Sequence, residues 1–335
     1  MAVLYRIRLT SLVLLTFVPS GYVRQEYKLY IPVVVSDHCL HVRENVGAAY
    51  GWGIKDVSHP QKLCIGFYHI WSINRGDESI PVNSDAGYLL YAPHYWSDCL
   101  TGYGEEFCTY NDDIARFCQH TPITEGVITY QGKPLITFMN EPDINLQANK
   151  SPDETIALYQ NIKNICGDKV LFFGPGVSAV DRVCHRNSLY PEQIPDWYSE
   201  LEQKYPDWCW LREYLRLAQE YGIQMDGYAF HHYPIEQKYI PNMDWDFNQV
   251  YQSILTAIHE YDKRENIVFV VMEIGSCNEN ILSRDLRQSR ANPSILYIAG
   301  WLPNAPDDTG FYCNSFFKPY GSGELSPVGL SFVRN

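Results

Sequence analysis

Apolar and aromatic residues gather into short runs separated by longer mixed segments. Eight such runs follow residue 45, at 48–54, 64–73, 88–96, 135–141, 170–175, 225–233, 267–273 and 295–301. Between several of them the period changes from strand-like to helical. In 151–165, Ser151 can cap a helix, Pro152 takes the first helical position and Glu154 lies three residues after the cap. Leu211, Tyr214, Leu215 and Ala218 form one face of 210–221, and Val250, Ile254 and Ile258 do so in 247–261. Eight strands alternating with helices predict an α/β fold, a single-domain (β/α)8 TIM barrel over 45–335, with functional residues at the C-terminal ends of the strands. A doubly wound open sheet is the opposing reading, but no Gly-rich phosphate loop follows the first strand.

The N-terminal stretch has a different pattern. Arg6 and Arg8 precede the apolar segment 9–18, and Pro19-Ser20-Gly21 supplies small residues for cleavage. A signal peptide at 1–21 and a secreted, extracellular protein are therefore expected. The apolar stretch is short for a bilayer span of about 20 residues, so no integral membrane association is expected. An extended segment, 22–44, containing Pro32 then leads to the domain.

Composition narrows the partners. The formal charge of -13 argues against nucleic acid. Aromatic residues make up 14% of the chain, with 26 Tyr and 8 Trp, more than a core requires and suited to stacking on sugar rings. Ten cysteines in an exported chain suggest disulfides, without fixing their connectivity. No paired His/Cys spacing of a zinc site is present, and neither a metal nor a cofactor is expected. A monomer is expected.

The chemistry lies at two strand ends. The run 135–139 delivers Asn140-Glu141-Pro142-Asp143, and 267–272 delivers Glu273. Counted along the chain these are strands four and seven, which puts both glutamates on one rim. Two such carboxylates are the machinery for cleaving a glycosidic bond, standing about 5–5.5 Å apart in a retaining mechanism. One must be neutral and one ionised: burial and mutual repulsion keep Glu141 protonated as the acid while Glu273 is the charged nucleophile. Asn140 is placed to meet the sugar 2-hydroxyl. On strand six, His231 is read as facing the rim, with Tyr233 on the same face reaching the nucleophile, and His232 as a buried histidine on the opposite face. Trp301, ending strand eight, is expected to floor a sugar subsite. Trp71, Tyr95 and Trp96 are expected to line the cleft, core packing being the competing explanation for Trp71 and Trp96. Asp143 reads as a supporting or capping residue.

In this order the residues resemble clan A glycoside hydrolases, the retaining (β/α)8 enzymes with acid/base on strand four and nucleophile on strand seven. Within the clan the chain is most similar to glycoside hydrolase family 128. The stretches that carry the likeness are Phe138-Met139-Asn140-Glu141-Pro142-Asp143, Gln147-Ala148-Asn149-Lys150-Ser151-Pro152, Gly174-Pro175-Gly176-Val177-Ser178, His231-His232-Tyr233, Glu273 and Glu324-Leu325-Ser326-Pro327-Val328-Gly329. The resemblance implies a polysaccharide substrate, a β-glucan, and endo-β-1,3-glucanase activity with Glu141 as acid/base and Glu273 as nucleophile. Departures stand at Met272 and Ile274, where the family usually has Thr and an aromatic, and at His232, where it has Trp. They leave open action on another glycan, such as xylan or mannan, and a carbohydrate-binding barrel without turnover.

Overall fold

The computed structural model describes residues 43–49, 62–69, 71, 73, 90–95, 97–98, 109–119, 126–143, 147–178, 209–233, 246–301, 315–317 and 324–335. The expected signal peptide and Trp96 lie outside these. Strands β1 (Arg43–Ala49), β2 (Ile65–His69), β3 (Leu90–Tyr91), β4 (His94–Tyr95), β6 (Lys133–Phe138), β7 (Leu171–Val177), β8 (Gly227–His232), β9 (Phe269–Ile274) and β10 (Ile295–Trp301) build a curled parallel sheet. Its order is β3-β2-β1-β10-β9-β8-β7-β6-β4, and a short β5 (Thr129–Tyr130) pairs antiparallel with β6.

Two expected strands differ. The first begins at Arg43, inside the segment expected to precede the domain. The run at 88–96 is broken at Ala92-Pro93, because proline has no N–H for the ladder. Its first half pairs with β2 and its second with β6, and Pro93 still accepts from Thr137 N at 3.0 Å.

The helices are α1 (Asn111–Gln119), α2 (Pro152–Cys166), α3 (Trp210–Glu220), α4 (Phe247–Tyr261), α5 (Glu279–Ala291) and α6 (Pro327–Arg334), each packed on the next. In α2 the expected capping box forms: Ser151 Oγ accepts from Glu154 N, and Glu154 accepts from Ser151 N. Among the described residues no helix is long and apolar enough to cross a membrane. The Cys118–Cys166 disulfide ties α1 to α2, and no described cysteine is free.

Alternation along the strands divides the core into two layers. Phe138, Phe172, Phe230, Val271 and Ile274 pack outward with the helix residues Tyr159, Trp210, Tyr214, Phe247 and Ile254. Phe67, Leu135, Leu171, Phe173, Ala229, Val270, Met272 and Ala299 fill the concave face. The inner layer alternates large with small. A Cβ at Gly47 would come within 2.4 Å of the Phe67 ring, and one at Gly227 within 2.1 Å of Phe173. Each buried Phe is worth about 1.5–3 kcal/mol in area removed from water, so the space those glycines leave is space the rings need.

Candidate active site

All neighbouring strands of the curled sheet run parallel, so Glu141 just beyond β6, His231 at the end of β8 and Glu273 at the end of β9 emerge at one edge. His231 Nδ1 lies 3.0 Å from Glu141 Oε1 and 3.3 Å from Glu273 Oε2. One imidazole nitrogen thus bridges two buried carboxyl groups. Trp71 Nε1 donates to Glu273 Oε1 at 3.2 Å, and the Tyr233 hydroxyl donates to Glu273 Oε2. The Tyr233 ring meets Trp301 edge to face at 5.5 Å.

Local backbone geometry accounts for the placement of both acids. On β9 a bulge inserts one residue: Phe230 pairs with Val271, but His231 pairs with Glu273. Met272 and Glu273 therefore both face the concave side, where strict alternation would have sent Glu273 toward the helices. On the other strand, Met139 and Glu141 both have positive φ, 65° and 44°. Their backbone is fastened to β7, with Glu141 N donating to Gly176 O at 2.8 Å and Gly176 N to Met139 O at 3.2 Å. Trp71 is also left-handed, at φ 55°. Such residues cost about 1–3 kcal/mol each and persist where surrounding structure fixes them.

Electrostatics follow from burial. Glu273 is pushed up to about 7 by desolvation, against the pull of His231 and the donors Tyr233 and Trp71, with Glu141 adding repulsion. Burial thus opposes the charge of Glu273, the residue expected as the ionised member of the pair. Burial also works against a charged His231, but Glu273 and Glu141 outweigh it and hold its pKa above the ordinary value. The three groups therefore titrate together rather than singly.

Two supporting histidines, His69 and His94, escaped sequence reasoning. His69 Nε2 donates to Met272 O at 3.1 Å, at the bulge, and burial lowers its pKa to about 4. His94 donates from Nδ1 to Thr137 Oγ1 at 2.7 Å, whose own hydroxyl donates to Pro93 O. Burial, then the neighbouring His69 and His231, keep His94 uncharged. The available signal was position: His69 ends an apolar run two residues after the inward-facing Phe67. Asp143 is fully buried and accepts from Ser178 N at 3.1 Å and Ser178 Oγ at 2.5 Å. Burial raises it to about 6 against those bonds, and Glu141 raises it further. Asn140 Nδ2 donates to Gln147 Oε1 at 2.9 Å.

Of the residues expected at the site, the structure brings together Glu141, Glu273, His231, Tyr233, Trp71 and Trp301, with Asn140 adjoining Glu141. Tyr95 is not among them. One residue beyond the inward-facing His94, it turns to the helix side and stacks on Phe138 at 5.4 Å. His232 likewise faces outward, bonded to Asp285 Oδ2 at 2.8 Å. Among the described residues, no three His, Cys, Asp or Glu side chains converge as a metal set.

Two buried carboxyl groups on one imidazole, with further donors fixed on one of them, are equipment for hydrolysing a glycosidic bond. The family described as "Glycosyl hydrolase catalytic core" matches residues 47–288, more than half of the chain, and the protein belongs to it. Comparison with curated proteins finds no match. Among solved structures the chain is similar to a family 128 (subgroup I) endo-β-1,3-glucanase from Amycolatopsis mediterranei in complex with laminaritriose. There the TM-score is 0.56 and the identity 13%, over 87% of this chain and 99% of that one. A subgroup II endo-β-1,3-glucanase from Sorangium cellulosum gives 0.55 and 17%, over 86% and 97%. A curdlan-specific exo-β-1,3-glucanase of subgroup III from Blastomyces gilchristii, in complex with glucose, gives 0.52 and 18%, over 87% and 98%. At these identities the likeness is one of fold.

Proposed function

We propose that the protein is a secreted, retaining β-glucan hydrolase of clan A, an endo-β-1,3-glucanase, with Glu141 as acid/base and Glu273 as nucleophile. The observation that carries this is His231 Nδ1 shared by Glu141 Oε1 and Glu273 Oε2. The two oxygens are no farther apart than the sum of those two contacts, short of the roughly 6.5–9.5 Å that inversion needs to admit a water. Glu273 attacks the anomeric carbon as a carboxylate held by Trp71, Tyr233 and His231, while Glu141 protonates the departing oxygen. Water, deprotonated by Glu141, then hydrolyses the glycosyl ester. The His231 imidazole between the two acids lets charge redistribute as one carboxyl becomes covalent. Trp301, beside Tyr233, supplies an aromatic face for the sugar.

The curled sheet is read here as a closed (β/α)8 barrel. β3 and β4 stand at opposite ends of the strand order, yet only Ala92-Pro93 separates them in the chain; as two halves of strand three they would close the ring. The β-1,3-linkage is supported by the solved enzymes that share the fold. Secretion is supported by the Cys118–Cys166 disulfide, which suits an oxidising compartment.

The test is release of sugar from β-1,3-glucan, β-1,4-glucan, xylan and mannan by the wild type, Glu141→Ala and Glu273→Ala, with product sizing and added azide. A retaining pair gives β-glycosyl azide from the Glu141 variant and α-glycosyl azide from the Glu273 variant. Undiminished turnover in either variant would refute the mechanism, and activity confined to xylan or mannan would refute the linkage.

A further inference from the structure

Glu273 reaches the site because β9 carries one residue more than its neighbours. The register steps from Val271 to Glu273 against β8, and from Val271 to Ile274 against β10, so Met272 falls within the step on both sides. The extra residue of a bulge is left out of the ladder. A buried carbonyl in that position needs a donor from elsewhere. Met272 is 1% exposed, and its carbonyl accepts from His69 Nε2 at 3.1 Å. His69 comes from β2, three places from β9 in the strand order, so its imidazole crosses the concave side to reach the bulge. The same ring packs edge to face on Trp71, with centroids 5.2 Å apart, and Trp71 Nε1 donates to Glu273 Oε1 at 3.2 Å. One side chain thus touches both the main chain that turns Glu273 inward and the indole that holds its carboxyl. Burial keeps this imidazole neutral, with its one N–H directed at Met272 O.

We propose that His69 is a positioning residue for the nucleophile: by holding Met272 O and backing the Trp71 indole, it sets the line along which the Glu273 carboxylate meets the anomeric carbon. This rests on reading Glu273 as the nucleophile. Plain alternation beyond Val271 would turn Glu273 toward the helices, so its aim depends on the bulge staying where it is. A bulge that relaxes by about 1 Å carries the carboxylate with it, and a displacement of that size costs about 100-fold in rate. What the position requires is a hydrogen-bond donor at the reach of Nε2. Glutamine carries one at nearly the same distance along its side chain. Methionine fills similar space without a donor, and asparagine presents its amide nearer the backbone, where Nδ1 stands.

The experiment measures kcat/KM on two aryl β-glycosides of the disaccharide unit that the enzyme cleaves, laminaribiose on the reading above. One carries dinitrophenol, which departs without a proton, and the other phenol, which needs the acid Glu141. His69→Met should lower kcat/KM about 100-fold on both, because both require attack by Glu273, and should leave KM for the phenyl glycoside within about threefold of wild type. His69→Gln should stay within about fivefold of wild type, while His69→Asn should fall with the methionine variant. Urea midpoints are taken for every protein, and rates are compared where all are folded. A merely structural role lowers the midpoint and spares the rate of the folded fraction. If the methionine variant does not fold, the contrast of asparagine with glutamine carries the test. A folded methionine or asparagine variant within about threefold of wild type overturns the proposal. A loss confined to the phenyl glycoside also overturns it, by placing the effect on Glu141, as does a glutamine variant as impaired as the methionine one. A wild type that releases sugar from no glucan and from neither glycoside overturns the functional reading first, and this inference with it.

Discussion

Replacing Glu273 by glutamine should stabilise the protein, and by an amount that depends on pH. Glu273 is 4% exposed, and burial raises its carboxyl from the ordinary 4.5 to about 7 despite the opposing pull of His231, Tyr233 and Trp71. The unfolded chain releases this proton near 4.5 and the native protein holds it until about 7, so between those values the native state binds more protons and stability falls as pH rises. Below 4.5 there is no penalty, and above 7 it is complete. At about 1.36 kcal/mol per pH unit the interval amounts to about 3 kcal/mol. Glutamine has nearly the same shape and no charge. Its oxygen can keep the Trp71 N–H, while its amide hydrogens face Tyr233, whose hydroxyl can turn to accept. Urea unfolding of both proteins at pH 4, 5.5 and 8, with enough points to fix the denaturant slope, reads the difference directly. The variant should be inactive, about 3 kcal/mol more stable at pH 8, and indistinguishable from wild type at pH 4. A stability difference that does not change with pH, or a variant less stable at pH 8, would refute the reasoning.

Further expectations concern neighbouring groups. Tyr233→Phe keeps the ring beside Trp301 but removes a donor to Glu273, worth about 1.5–3 kcal/mol for a bond to a charged acceptor. The acid limb of the kcat/KM profile should therefore move up from near 7 by about 1–2 pH units; a limb that stays or moves down counts against Glu273 as the ionised nucleophile. Asp285 accepts from His232 and Arg284, bonds that hold its pKa below the ordinary value although burial alone would raise it. Asp285→Asn should cost about 2 kcal/mol at pH 7, with the loss shrinking as acid protonates the native carboxyl, and with kcat unchanged because His232 faces the helices. Cys118→Ser with Cys166→Ser opens a bridge of sequence separation 48. Loop entropy puts the loss at about 4 kcal/mol, measurable as a lower urea midpoint.

Much of this fold is written in the apolar runs. The pair α4 and β10 coincides with the expected 247–261 and 295–301, and the capping box of α2 could be read from Ser151 and Glu154. Helix α5 was missed because its apolar stripe is thin: only Leu282 and Leu286 among its large apolar residues are fully buried, and most other positions are polar. Helix α6 had its signal, Ser326 as cap and Pro327 at the first position, but at eight residues it is too short to show a period. The break between β3 and β4 was announced by Pro93. What periodicity could not supply was which face of that broken strand looks inward, and Tyr95 was assigned to the cleft for that reason.

The site is a different case, because local preference and final geometry disagree there. Alternation counted from the inward Val270 sends Glu273 outward, and only the extra residue at Met272 returns it to the concave face. A bulge has no composition of its own on this strand; it is held by pairing with β8 and β10, together with the His69 bond to Met272 O. Glu141 and Trp71 reach the same place through left-handed backbone that their side chains disfavour, and Glu273 is buried against its own charge. Each of these is a local cost sustained by distant contacts, so none can be seen in a window of neighbouring residues. The glutamates were found instead through residue type and strand order, which topology preserves when register does not: a parallel strand ends at the same edge of the sheet whether or not a bulge precedes that end.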